Sequence, residues 1–102
     1  MPKSTARRLS RTAIAEGFDM QLKDGRERYF LYLPFEHSED PQDQALAQAM
    51  IRQLGNEVWT RYADAHRSII VRFGRFPHRN DILKRTSTAE EVAFLKEPGI
   101  SF

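Results

Sequence analysis

The segment His66–Arg79, HRSIIVRFGRFPHR, holds the densest set of groups able to recognise a charged ligand. Guanidinium groups in a fixed array bind carboxylate or phosphate bidentately. Arg72, Arg75, His78 and Arg79, with Asn80 beside them, therefore make a candidate anion site. The same residues have a competing structural role. Basic side chains near a helix C-terminus are favoured by its dipole, and these can also pair with the acidic block Glu36, Glu39, Asp40 and Asp43 and so fix a loop.

His37 lies inside Glu36-His37-Ser38-Glu39-Asp40. Flanking carboxylates raise the affinity of an imidazole for its proton and suit it to acid–base work. Glu36, His37 and His66 are accordingly the candidate catalytic groups, and Glu36 and His37 are also candidate ligand-binding residues. A metal site made from His37, His66 and His78 would match the three-His pattern of catalytic zinc. Their spacings of 29 and 12 residues, however, fit no local ligand motif. His66 also falls on an apolar stripe, where a hydrogen-bonded core histidine is the commoner outcome, so no metal and no cofactor are expected. Asp64, His66 and Ser68 do not form a triad, because on a helix His66 lies about 200° around the axis from both others at roughly 100° per residue.

These groups need elements to hold them. The first helix is expected to begin after Ser4 or Thr5, with Ala6, Leu9, Ala13 and Ile14 at helical spacing and Gly17 as its stop. Phe18–Gly25 reads as a loop. Arg26–Leu33 reads as a short helix closed by Pro34, followed by a loop over Phe35–Asp40. Asp40-Pro41 is a strong helix start, an N-cap acid before proline at the first helical position; that helix should run to about Leu54 and end at Gly55. The clearest helix spans Glu57–Phe73. Its apolar stripe is Val58, Trp59, Tyr62, Ala63, His66, Ile69, Ile70 and Phe73, with Gly74 as terminator. Arg75–Arg85 is expected to be a loop with one turn near Asn80–Leu83. Ser87 and Glu90 match a capping box for a last helix over about Thr88–Lys96, burying Val92 and Leu95. Pro98-Gly99 ends it, and Ile100 and Phe102 pack back as a tail. The expected architecture is a single all-α domain over residues 1–102, a bundle of about five helices with short links. Residues 1–25 form its N-terminal helix and loop, and residues 26–102 its motif-bearing part.

Composition bounds the function classes. The chain has 102 residues, a net charge of +2 and no cysteine, which excludes disulfides, thiolate nucleophiles and Cys-based zinc sites. No apolar run approaches the roughly 18 residues of a membrane span, and Met1–Ala15 lacks the long apolar stretch of a secretory signal; a cytoplasmic location is expected. Lys3, Arg7, Arg8 and Arg11, with no acid before Glu16, read as a solvated helix face. The Glu36–Asp43 block and the Arg67–Arg85 block attract each other within one molecule or steer a ligand from outside.

Three stretches, YFLYLPFEHSEDPQDQ (Tyr29–Gln44), HRSIIVRFGRFPHRNDIL (His66–Leu83) and STAEEVAFLKEPGISF (Ser87–Phe102), resemble in that order the C-terminal part of a mainly bacterial family, domain of unknown function 924. The resemblance implies an all-helical, tetratricopeptide-like fold and carries no established activity. Two departures matter. Family members are usually longer, with a further N-terminal helical half, and Lys84 stands where the family usually has glycine. A half-bundle exposes the face it would otherwise bury, and large apolar patches find partners. Self-association, or pairing with a separately encoded N-terminal half, is therefore expected.

The leading expectation is a non-enzymatic helical domain that binds a small anionic ligand or a peptide through Arg72, Arg75 and Arg79, with His78 and Asn80 setting orientation. The alternative is a hydrolase-type enzyme using His37, His66 or His78 with Glu36. A third is an RNA-binding protein, which needs aromatic faces free to stack; nucleic acid is the less expected partner.

Overall fold

The computed structural model of the chain describes residues 3–17 and 22–97. Among the described residues five α-helices follow one another: α1 (Lys3–Ala15), α2 (Gly25–Glu36), α3 (Pro41–Arg52), α4 (Glu57–Phe73) and α5 (Ala89–Leu95). A 3₁₀ turn over Pro77–Arg79 lies between α4 and α5. No strand occurs among the described residues, and none of the helices is long and apolar enough to cross a membrane. The expected tail at Ile100 and Phe102, the stop at Pro98-Gly99 and part of the loop after Gly17 lie outside the described residues.

Local signals set most helix ends. Asp24, Asp40 and Asn56 each accept a backbone N–H of the first turn that follows, at 2.9, 2.8 and 3.0 Å. Such side chains satisfy amide groups that have no partner within the helix. Gly74 ends α4 with φ 73°, a conformation that costs glycine little.

Two boundaries differ from expectation. Pro34 does not close α2; the helix continues through Phe35 and Glu36. Proline in a last turn removes one hydrogen bond but keeps a helical φ. The end it weakens is secured from α3, where Gln44 Nε2 donates to the carbonyls of Glu36 (2.6 Å) and Ser38 (2.7 Å). The capping box of α5 is shifted by one residue, from Ser87 and Glu90 to Thr88 and Glu91. The run STAEE holds both matches, and tertiary contacts choose between them: Ser87 instead accepts Asn80 Nδ2 at 2.9 Å.

The core lies in two clusters in series along α4, in a molecule 45 × 28 × 19 Å across. Tyr32, Phe35, Ala47, Ile51 and Ala63 join α2, α3 and the first half of α4. The Tyr29 and Trp59 rings stack at its edge, 4.4 Å apart and 5° from parallel. Ile69, Ile70, Phe76 and Phe94 join the second half of α4 to the following loop and α5. The buried stripe of α4 is narrower than expected, since Val58 and Tyr62 are about half exposed. Its line runs Trp59, Ala63, His66, Ile70, Phe73, alternating steps of four and three; Val58 and Tyr62 sit to one side. In α1, Leu9 faces solvent and Ser10 is buried, because Arg7 and Arg11 turn the helix toward an acceptor on α3. In α5, Glu91 and Phe94 are buried while Val92 and Leu95 are exposed, for reasons that follow from Arg75.

Lys84 has φ 56°. Arg85 N–H reaches Asn80 O (2.8 Å) and Lys84 N–H reaches Asp81 O (3.2 Å), the paired bonds of a Schellman ending with Lys84 at its left-handed position. A side chain there costs about 1–2 kcal/mol, partly offset by the greater unfolded-state freedom of glycine, about 0.5–1 kcal/mol. Lys84→Gly is therefore expected to stabilise the chain by about 0.5–1 kcal/mol. A denaturant midpoint that stays put or falls would count against this.

Candidate functional site

The C-terminal end of α2 and the 3₁₀ turn face each other across a cleft of about 750 Å³. Pro34 comes from α2, His37, Ser38, Glu39 and Asp40 from the α2–α3 turn, and His78, Arg79, Ile82 and Leu83 from the far wall; Arg7 of α1 closes one side. The two walls are tied together. Glu39 accepts the Phe76 N–H (2.6 Å) and both terminal nitrogens of Arg85 (2.8 and 3.0 Å). Burial pushes the Glu39 carboxyl up, but Arg85 and the Phe76 amide more than reverse this and hold it below the usual range. Phe76, fully buried, then serves as the pivot of the 3₁₀ turn that presents His78 and Arg79.

The arginines divide clearly. Arg7 and Arg11 reach across to the buried Asp43. Arg72 Nε meets Glu90 at 2.9 Å with its guanidinium over the rings of Phe73 and Phe94. Arg75 binds Glu91 through Nε (2.8 Å) and Nη2 (2.6 Å) and the Thr86 carbonyl at 2.8 Å. Arg85 holds Glu39. Arg79 differs: its guanidinium lies 4.4 Å from the centroid of the Phe76 ring, and among the described residues no carboxylate pairs with it. Burial lowers its proton affinity and the Glu39 charge opposes this; it stays a cation.

Behind His37 lies a second cluster. Glu36 is 1% exposed and His66 4%. His66 Nδ1 is 2.6 Å from the Tyr62 carbonyl and 3.1 Å from Glu36 Oε1. A carbonyl only accepts, so Nδ1 carries the hydrogen and Nε2 keeps its lone pair. The rings of His37 and His66 lie 5.6 Å apart. Burial raises the Glu36 carboxyl to about 7, against a hydrogen bond from Tyr29. It lowers the His66 imidazole to about 4, against the Tyr62 carbonyl and with help from His37 and Arg79. The Tyr29 phenol rises to about 12, first from burial and then from the nearby Glu36 charge. Both partners of the Glu36–His66 contact thus resist charge, and between about pH 4 and pH 7 they form a carboxylic acid beside a neutral imidazole.

Residues 3–99 match the family described as "Bacterial protein of unknown function (DUF924)". The chain belongs to this family. A solved structure of a protein of unknown function from Agrobacterium tumefaciens, ATU0120, is similar to it at 40% identity with a TM-score of 0.86. The match covers 92% of this chain and 52% of that one, so the chain spans about half the length of this relative. A comparison with curated proteins returned no match.

Of the residues singled out in the sequence, the fold of this family member brings Glu36, His37 and His66 together and places His37, His78 and Arg79 on the cleft. It directs Arg72 and Arg75 to α5 instead. Asn80 is buried as a strut between Ser87 and Arg85. Arg7 was not anticipated at the site. Arg7 and Arg11 sit one helical turn apart in an acid-free stretch, and that pair, set against the acidic block, was the available signal.

Proposed function

We propose that this chain binds a small organic anion in the cleft, with Arg79 holding the negative charge and His37 and His78 orienting the ligand. The contrast among the arginines carries the proposal: Arg7, Arg11, Arg72, Arg75 and Arg85 each meet a carboxylate, whereas Arg79 faces the cleft without one. A guanidinium backed by an aromatic face and presented on a short rigid turn is pre-organised for a carboxylate or phosphate. His78 Nδ1 is buried and has no hydrogen-bond partner, so it too has a bond to give. Pro34, Ile82 and Leu83 supply apolar wall, which suits an anion carried on an apolar body. The cleft volume falls within the roughly 300–1,000 Å³ of small-molecule sites, which favours a small ligand over a peptide. RNA is less well served: Phe76 is fully buried and Phe73 lies under Arg72, so neither offers a free face to a base.

A thermal-shift screen of organic carboxylates and phosphate esters, followed by titration calorimetry, tests this. Arg79→Ala is expected to weaken any detected ligand at least tenfold, about 1.4 kcal/mol. Arg72→Ala, on the other side of the second core cluster's rim and paired with Glu90, is expected to leave affinity within about twofold, since exposed ion pairs contribute little. Equal affinity in wild type and Arg79→Ala for every ligand found would sink the proposal.

A further inference from the structure

We propose that Glu36, His37 and His66 bind a divalent transition-metal ion of the zinc class, at the inner edge of the cleft. One ligand atom from each of these three residues can be chosen so that all lie within 4.8 Å of one another. The set was not legible as a motif. It joins the last residue of α2 and the C-cap residue after it to one in the middle of α4, and it replaces His78 of the three-His pattern with Glu36.

Burial separates this cluster from an ordinary surface group of acids. Glu36 and His66 are almost wholly inaccessible, while His37 is exposed and lines the cleft, giving an ion a route in. Glu36 Oε2 is buried and accepts no hydrogen bond. A buried carboxylate oxygen left in that state is costly, and a cation supplies the missing partner. His66 is already oriented as a ligand: the Tyr62 carbonyl takes Nδ1–H and fixes the ring, and Nε2 keeps the lone pair. Metal-bound histidines are commonly held in this way, by a carbonyl or carboxylate on the other nitrogen.

The donor set points to the metal class. Two imidazoles with one carboxylate suit zinc and its first-row neighbours, whereas calcium and magnesium prefer oxygen alone. Three protein ligands leave a further position for water or another ligand. Bond lengths near 2.1 Å place tetrahedral donors about 3.4 Å apart, so the cluster must contract by on the order of 1 Å on binding. His37, the exposed member at the end of a helix, is the one whose side chain would turn inward. His37 serves both sites, but Arg79→Ala tests the anion proposal and Zn²⁺ titration without any anion tests the metal proposal, so each can fail without the other.

The test uses the full chain, prepared without a metal-affinity tag and stripped with chelator. Calorimetric titration with Zn²⁺ alone is expected to give one site per chain with a micromolar or tighter dissociation constant. Co²⁺ in its place is expected to give visible d–d absorption of a low-coordinate site, bleached by Zn²⁺. His37→Ala, at an exposed position that should not disturb folding, is expected to weaken Zn²⁺ at least tenfold. His66 is buried and its replacement risks the fold, so its part is read in the wild type. Zn²⁺ should shift the imidazole ¹⁵N resonances of His37 and His66 and leave those of His78 in place. Binding weaker than millimolar, an unchanged constant in His37→Ala, or a zinc-shifted His78 with an unshifted His66 would each overturn the proposal.

Discussion

Asp43→Ala is expected to lower the melting temperature by on the order of 10 °C and to release α1 from the rest of the chain. Asp43 is 1% exposed, yet three side chains converge on it: Arg7 Nη1 at 2.8 Å, Ser38 Oγ at 2.7 Å, and Arg11. Burial alone would push its carboxyl up; the three donors outweigh that and hold it below the usual range. Removal of the carboxylate leaves unequal losses. The two guanidiniums are partly exposed and rehydrate, but the Ser38 hydroxyl is buried and loses its acceptor. Hydrogen bonds to a charged group are worth about 1.5–3 kcal/mol, and about 1 kcal/mol moves the melting point of a domain this size by roughly 4–8 °C. Arg7→Ala should cost less, because Arg11 still reaches Asp43. Amide exchange gives the decisive readout. Protection should fall first in α1, which otherwise packs on α2 with Ile14 against the first core cluster; uniform loss across all five helices would show that Asp43 does not act through α1.

Which parts of this fold were legible in the sequence follows from how local each signal was. α3 and α4 announce themselves through Asp40-Pro41, Asn56 and Gly74, all of which act within one turn of the residue that carries them. The extension of α2 past Pro34 was not legible, because the side chain that secures its last turn, Gln44, comes from α3. The two capping-box matches in STAEE were equivalent locally. Asn80 and Arg75, from a separate loop, decide between them.

The site divides along the same line. The basic segment was visible as a density of charge, but its apportionment was not. Periodicity gives no indication that Arg72 and Arg75 are spent on α5 or that Arg79 is left facing the cleft. His66 was correctly placed on the buried stripe of α4, since the 3.6-residue repeat determines that face. Its juxtaposition with Glu36 and His37 depends on how α2 packs over α4, a long-range contact with no short-range signature. The charge blocks do attract each other within the molecule, through Glu39 with Arg85, but Asp43 is claimed by α1, where the sequence read only a solvated face.

Glu91→Gln is the second large effect: it should lower the melting temperature by on the order of 10 °C at neutral pH and flatten the acid limb of the stability curve. α5 has seven residues, far too few to persist alone. It is held by Phe94 in the second core cluster and by Glu91, which is 2% exposed. The Glu91 carboxylate takes both Arg75 nitrogens and also closes the capping box by accepting Thr88 N–H at 2.8 Å. Arg75 is the main cause that draws its acidity to about 2; burial opposes, and Thr88 and Asn80 add to the lowering. The sign follows from linkage. A carboxyl whose folded value lies below its unfolded one, here about 2 against 4.5, binds fewer protons when folded. Its contribution is therefore complete above about pH 4.5 and is lost as the pH falls toward 2. Glutamine keeps an acceptor for Thr88 but has no charge to lose, so between those pH values the variant should show a shallower decline than wild type. Parallel acid limbs would mean that Glu39 and Asp43, both also held low, account for the whole of it. A Glu91→Gln melt that matches wild type at neutral pH would mean that Phe94 alone secures α5.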